Sequence, residues 1–229
     1  MRTPATEDMD PITFAALSAG ATAVTASRRL ARRLHADFNR RMQQEGRAAW
    51  TGADILPWPA WIARLWNESL GLALADPAAA PRVLLSSAQE RRLWEAVVDD
   101  SPWRHVLLQV PATACTAQEA WQLVHEWRLS LPAERDAPNE DVRAFVAWAG
   151  RFARECERRG WQDAARLPDL LAEAFERRRL AAPARLLFAG FDELTPQQQR
   201  LLDCLQQAGA VVESVSAPAA AGRAVRLAC

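Results

Sequence analysis

Leu30, Leu34, Phe38 and Met42 recur every four residues and form one apolar face. Ser27 stands where a helix N-cap belongs, and Gly46 where a C′ glycine belongs, so the spacing predicts a helix from Ser27 to about Gln44. Arg28, Arg29, Arg32, Arg33 and Arg40 fall on the opposite side of that helix. The short apolar run Ala21 to Ala26 precedes it and predicts a buried strand. A second strand is expected around Ile55. Pro59 then suits the first turn of a helix striped by Trp61, Ile62, Leu65, Trp66 and Leu70. Residues 1–20 read as an acidic tail with a short apolar segment.

Asp76 to Pro81 is a break and a subdomain boundary. Helical periodicity dominates after it. Ser87 with Glu90, and Thr116 with Glu119, have the spacing of capping boxes. Leu93, Trp94, Val97 and Val98 face inward in the first of these helices, and Leu123, Val124 and Trp127 in the second. Asn139 caps a third helix with Val142, Phe145, Trp148, Phe152 and Cys156 on one side and Gly160 at its end. Pro168 opens a fourth. The pattern then changes. Arg185 to Ala189 is a compact apolar strand, Thr195-Pro196-Gln197-Gln198 starts a helix ending at Gly209, and Ala210 to Ser216 is another strand. Strand, helix and strand within roughly thirty residues make a βαβ unit with parallel strands and a right-handed crossover.

The expectation is therefore an α/β fold: a small parallel sheet interrupted by a large all-helical insertion. Residues 1–20 form a tail, 21–75 the first part of the α/β domain, 76–182 the helical insertion, and 183–229 the second part. So small a parallel sheet predicts further chain beyond residue 229, because both of its faces need cover.

Composition narrows the chemistry. The chain has 229 residues, and its 28 basic residues balance 28 acidic ones, which argues against a wholly basic nucleic-acid coat but not against a local patch. Every basic residue is arginine. Without lysine there is no P-loop lysine, no Schiff base and no lysine general base. Cys115, Cys156, Cys204 and Cys229 are far apart, and His35, His105 and His125 are scattered, so no local metal motif exists and no cofactor is expected. Reduced thiols, and the absence of a membrane-length apolar run, predict a cytoplasmic protein without a membrane role. Ile12 to Ala26 could pass for a signal-peptide core, but Glu7, Asp8 and Asp10 give the preceding segment the wrong charge.

Two places could carry function. The arginine face at Arg28, Arg29, Arg32 and Arg33 follows a strand and could meet DNA phosphates; its alternative is a solvated face paired with Asp37 and Glu45. Asp192 and Glu193 follow an apolar strand, where a P-loop NTPase keeps its magnesium-binding and catalytic acids. Their alternative is as caps of the next helix. Of the ten tryptophans, Trp61, Trp66, Trp94, Trp127 and Trp148 lie on apolar stripes, while Trp103 and Trp161 are freer to stack on bases. No catalytic residue is assigned.

Four segments together resemble a known family: VTASRRLARRLHADF at Val24 to Phe38, the W-x-x-x-D-I-L-P-W-x-x-W-x-x-x-L-W spacing from Trp50 to Trp66, LLSSAQERRLW at Leu84 to Trp94, and LLFAGFDELTPQQQRLLDCL at Leu186 to Leu205. Their order is similar to the N-terminal part of bacterial AddB-like proteins, DNA repair proteins of the PD-(D/E)XK nuclease family. The resemblance implies a sheet of the superfamily 1 helicase, P-loop type with a helical insertion. It implies that Asp192 and Glu193 belong to a degenerate Walker B-like segment, and that the chain guides DNA, or contacts a partner helicase–nuclease subunit, without hydrolysing ATP. It lends no nuclease residue to this chain, although the full-length family protein is an exonuclease. Two other functions remain open: a protein–protein adaptor, and an unorthodox nucleotide hydrolase using Asp192 and Glu193.

Overall fold

The computed structural model describes residues 9–73 and 82–215, with side chains at all of these except 12 and 70–73. The break at Asp76 to Pro81, the tail from Ala217 and the inward side chain expected at Leu70 lie outside the described residues. Two compact units emerge. One holds the residues up to Arg64, Ala181–Glu193 and those from Leu205; the other holds Leu65–Leu180 and Leu194–Cys204.

The first unit is built on a parallel sheet. Its strands are β1 (Thr22–Thr25), β2 (Asp54–Pro57), β5 (Arg185–Ala189) and β6 (Val211–Val215), in the order β2-β1-β5-β6. The register sets Ala23 opposite Ile55 on one side and Leu187 on the other. These three residues and Ala189 share a core with Leu34, Phe38 and Met42 of α2 (Arg28–Gln44). Phe188, one residue out of phase, meets Trp58 and Trp61 at the start of α3 (Trp58–Ala73) instead. Both faces of β1 are thus covered and all four of its residues are buried, which is why it reads as a continuous apolar run rather than an alternating one.

The ends of α2 follow from local chemistry. The Leu30 amide donates to Ser27 Oγ at 3.2 Å. At the other end Gly46 takes φ +70°, and the Arg47 amide returns to the Met42 carbonyl. That left-handed turn is costly for any residue with a Cβ. His35 Nε2 lies 3.0 Å from the Ile55 carbonyl and pins the helix to β2.

The expected N-terminal tail differs. Pro11–Ser18 form α1, with the Thr13 amide donating to Asp10 at 3.0 Å, and Phe14, Ala16 and Leu17 are buried against the α2 side of the sheet. The segment is apolar on nearly every side, so no periodicity betrayed it; the aspartate–proline pair at its start was the available signal.

The second unit is helical. It contains α4 (Ser87–Asp99), α5 (Val110–Glu126), α6 (Glu140–Arg158) and α7 (Leu167–Glu176), with one short parallel pair, β3 (Val83–Leu84) on β4 (Trp161–Gln162). α8 (Pro196–Gln207) belongs to both units. Trp94 stacks on Phe152 at 4.3 Å and Trp121 meets both rings edge-on. The expected caps shift here. Ser86 and Gln89 form the capping box of α4, one residue before Ser87 and Glu90, and Glu90 is buried. Thr116 and Glu119 lie inside α5, which begins at Val110 with Pro111 in its first turn. The inward stripe of α5 is Ala114, Ala117 and Trp121, whereas Leu123 and Trp127 are exposed. The small alanines allow close helix approach, so Ala114 and Ala117 mark the buried face beside Trp121 although Leu123 is larger than either. The caps at Asn139 and at Thr195 with Gln198 are formed. Among the described residues no helix is long and apolar enough to cross a membrane.

Candidate functional site

The sheet order creates a divergence point. From β1 the chain crosses to β2 on one side, and from β5 it crosses to β6 on the other. In open parallel sheets the crevice at the carboxyl ends of two such strands is where ligands bind. Here that edge is made by Ala26 and Ser27 after β1, and by Gly190 to Glu193 after β5.

The β1 side is tight. Only Ala26 and Ser27 separate the strand from α2. The Ala26 amide donates to the Ala189 carbonyl at 3.1 Å, tying the junction to β5. Thr25 is fully buried, and its hydroxyl donates to the Ser27 carbonyl at 3.0 Å. A polyphosphate cradle needs a long glycine-rich loop whose amides turn toward the ligand. A two-residue junction with its first amide already bonded offers none.

The arginines predicted from sequence separate into two kinds. Arg28, Arg29 and Arg32 are exposed and carry no ion pair with any described residue. The Arg32 Nε donates to the Arg28 carbonyl at 3.4 Å, which holds its side chain along the helix toward the N-terminus. Arg33 instead leans on Asp37 at 3.7 Å, and Arg40 approaches the same carboxylate at 3.1 Å. No acidic residue stands in the first turn of α2. Positive charge there opposes the helix dipole, at a cost of about 0.3–1 kcal/mol per group. The arrangement is poor for helix stability and favourable for an anion.

On the β5 side, Gly190 takes φ +74°, which turns the chain sharply out of the strand. Asp192 and Glu193 are both exposed beyond it. Sequence reasoning missed what lies beside them. Phe191 packs 5.3 Å from Phe188 and 6.4 Å from Trp58, and Trp58 lies 5.5 Å from Trp61. Half-buried aromatic rings therefore border the acids at the sheet edge. The signal was available: Trp58 and Phe191 come directly after Pro57 and Gly190, at strand exits.

The remaining candidates are structural. Trp103 donates to Glu140 at 2.8 Å and meets Trp148 edge-on, and Arg159 covers Trp161 at 4.6 Å, so both rings are already engaged. Burial pushes the Cys156 thiol up to about 12 and the Cys204 thiol up to about 11, which removes both as nucleophiles near neutral pH. Cys115 is exposed. Burial lowers the pKa of His125, whose ring is 4.2 Å from Trp121. Among the described residues no group of three or more histidine, cysteine, aspartate or glutamate side chains could hold a metal ion.

No family model and no curated protein matches the chain.

Proposed function

We propose that this chain is the N-terminal, helicase-like scaffold of a DNA repair nuclease, and that it guides DNA without hydrolysing ATP. Its sheet is read as a degenerate P-loop-type sheet, with Asp192 and Glu193 as relics of a Walker B segment. The observation that carries the proposal is the trio Arg28, Arg29 and Arg32, exposed and without carboxylate partners among the described residues, at the first turns of α2, beside the β1/β5 divergence point. Arginine binds phosphate bidentately, and the adjoining helix end adds its own positive field. The two-residue β1–α2 junction favours this reading over a nucleotide hydrolase. Arg33 takes part as a neighbour already partly neutralised by Asp37. DNA contact implies a cytoplasmic location.

The test is a salt titration of DNA binding. Each phosphate contact contributes close to one unit to the slope of log K against log salt. The variant carrying Arg28→Ala and Arg32→Ala is expected to bind more weakly at every sequence, with its slope reduced by about two. An unchanged affinity and slope would sink the assignment.

A further inference from the structure

A groove of about 610 Å³ opens in the helical unit among the segment Trp103 to Leu107, α5 and α6. Its walls are Trp103, Leu107, Ala117, Phe145 and Trp148, and Val106 at its edge is 64% exposed. Its two threonines add no free donor. Thr113 and Thr116 turn their hydroxyls back to the carbonyls of Gln109 and Ala112, at 3.1 and 3.2 Å, so each has already bonded its donor within α5. The charge comes from one place, Glu140 and Asp141 in the first turn of α6. Glu140 accepts from the Trp103 indole and keeps only a distant approach of 3.9 Å from Arg143. Asp141 is exposed and has no ion-pair partner among the described residues. The start of a helix stabilises both as anions, and two full charges exceed the half-charge of the helix end. The site is thus apolar along its length and negative at one rim.

We infer that this groove docks an amphipathic helix of a protein partner, one that lays leucine-like side chains on the aromatic wall and sets an arginine or lysine against Glu140 and Asp141. Apolar anchors one turn apart suit a groove between helices. The charge pattern selects the sign of the partner: an acidic helix of equal hydrophobicity meets Glu140 and Asp141 as like charges. The inference is independent of the arginine site on α2.

The experiment uses the full chain and two dye-labelled model peptides of about five helical turns. One is built from leucine and lysine, the other from leucine and glutamate with the same apolar face. Fluorescence anisotropy is expected to show saturable binding of the Leu/Lys peptide only. Glu140→Gln with Asp141→Asn keeps an acceptor for Trp103, and is expected to weaken that binding about fivefold at low salt. Ala120 also lines the groove, and Ala120→Trp, which fills it, is expected to abolish binding while the charge variant retains the native circular dichroism spectrum. The proposal is overturned if neither peptide binds, if both bind equally, or if the Leu/Lys peptide binds both variants as it binds the parent.

Discussion

Asp163 shows how much one carboxylate can organise. It is fully buried, accepts the Trp121 indole at 3.1 Å and the Arg166 amide at 3.2 Å, and pairs with the Arg166 guanidinium at 2.5 Å. Replacing it with alanine strands a half-buried cation and a buried indole N–H. Asp163→Ala is expected to lose about 2–4 kcal/mol of stability, read as a lower urea midpoint at constant slope. Glu90, buried nearby, has its pKa raised above the ordinary 4.5 by desolvation and by the charge of Asp163. A carboxyl group raised in the folded state favours folding while it is protonated, and that contribution fades as pH rises from 4.5 through the folded value. Glu90→Gln cannot titrate, so its stability relative to the parent is expected to improve as pH climbs through that window, measured by urea unfolding at stepped pH. Of Cys115, Cys156 and Cys204, only the exposed Cys115 is expected to alkylate in the native protein at pH 8, mapped by peptide mass. None of this network could be read from the sequence, because Glu90, Trp121 and Asp163 are far apart along the chain and meet only when α4, α5 and the turn before α7 pack.

At the scale of elements, the proposed phosphate site puts arginine where the dipole of α2 opposes it. Arg28→Glu removes a charge that opposes the dipole and supplies one that complements it. Thermal stability is expected to rise by about 0.5–1 kcal/mol while DNA affinity falls. A variant losing both would mean that Arg28 holds the fold together rather than meeting phosphate. Ser27→Ala is expected to cost about 1 kcal/mol in thermal or urea unfolding. The element was legible because everything that defines it is local: a serine cap, a four-residue apolar repeat and a glycine stop. The same logic failed for α5. There Trp121 shares the buried stripe with Ala114 and Ala117, and the two alanines carry too little hydrophobic signal to outweigh Leu123 and Trp127 on the wrong face. It failed for α1 as well, where apolar residues on all sides leave no period to read.

For the whole molecule, the divergence of the chain at β1 and β5 decides which residues form a site. Segments near residue 27 and near residue 191 become neighbours only through the β1–β5 register, which pairs Val24 with Phe188. A tight junction on one side and a turned-out acidic pair on the other predict an absence of nucleotide turnover. Magnesium-dependent ATP hydrolysis is expected to stay at background, and to be the same in Glu193→Gln; turnover abolished by that substitution would instead establish the hydrolase reading. The sequence by itself determined the parallel βαβ character, the α2 caps, the arginine face and the loss of all lysine chemistry, since these depend on residue type and on spacings shorter than a helix. Only the tertiary structure decided which arginines lack an ion pair among the described residues, that Phe191 and Trp58 border the acids, and that an apolar groove with a negative rim lies between α5 and α6. Pairing, burial and cavities are set by contacts between residues distant in the chain, and periodicity along one segment carries no information about what another segment will cover.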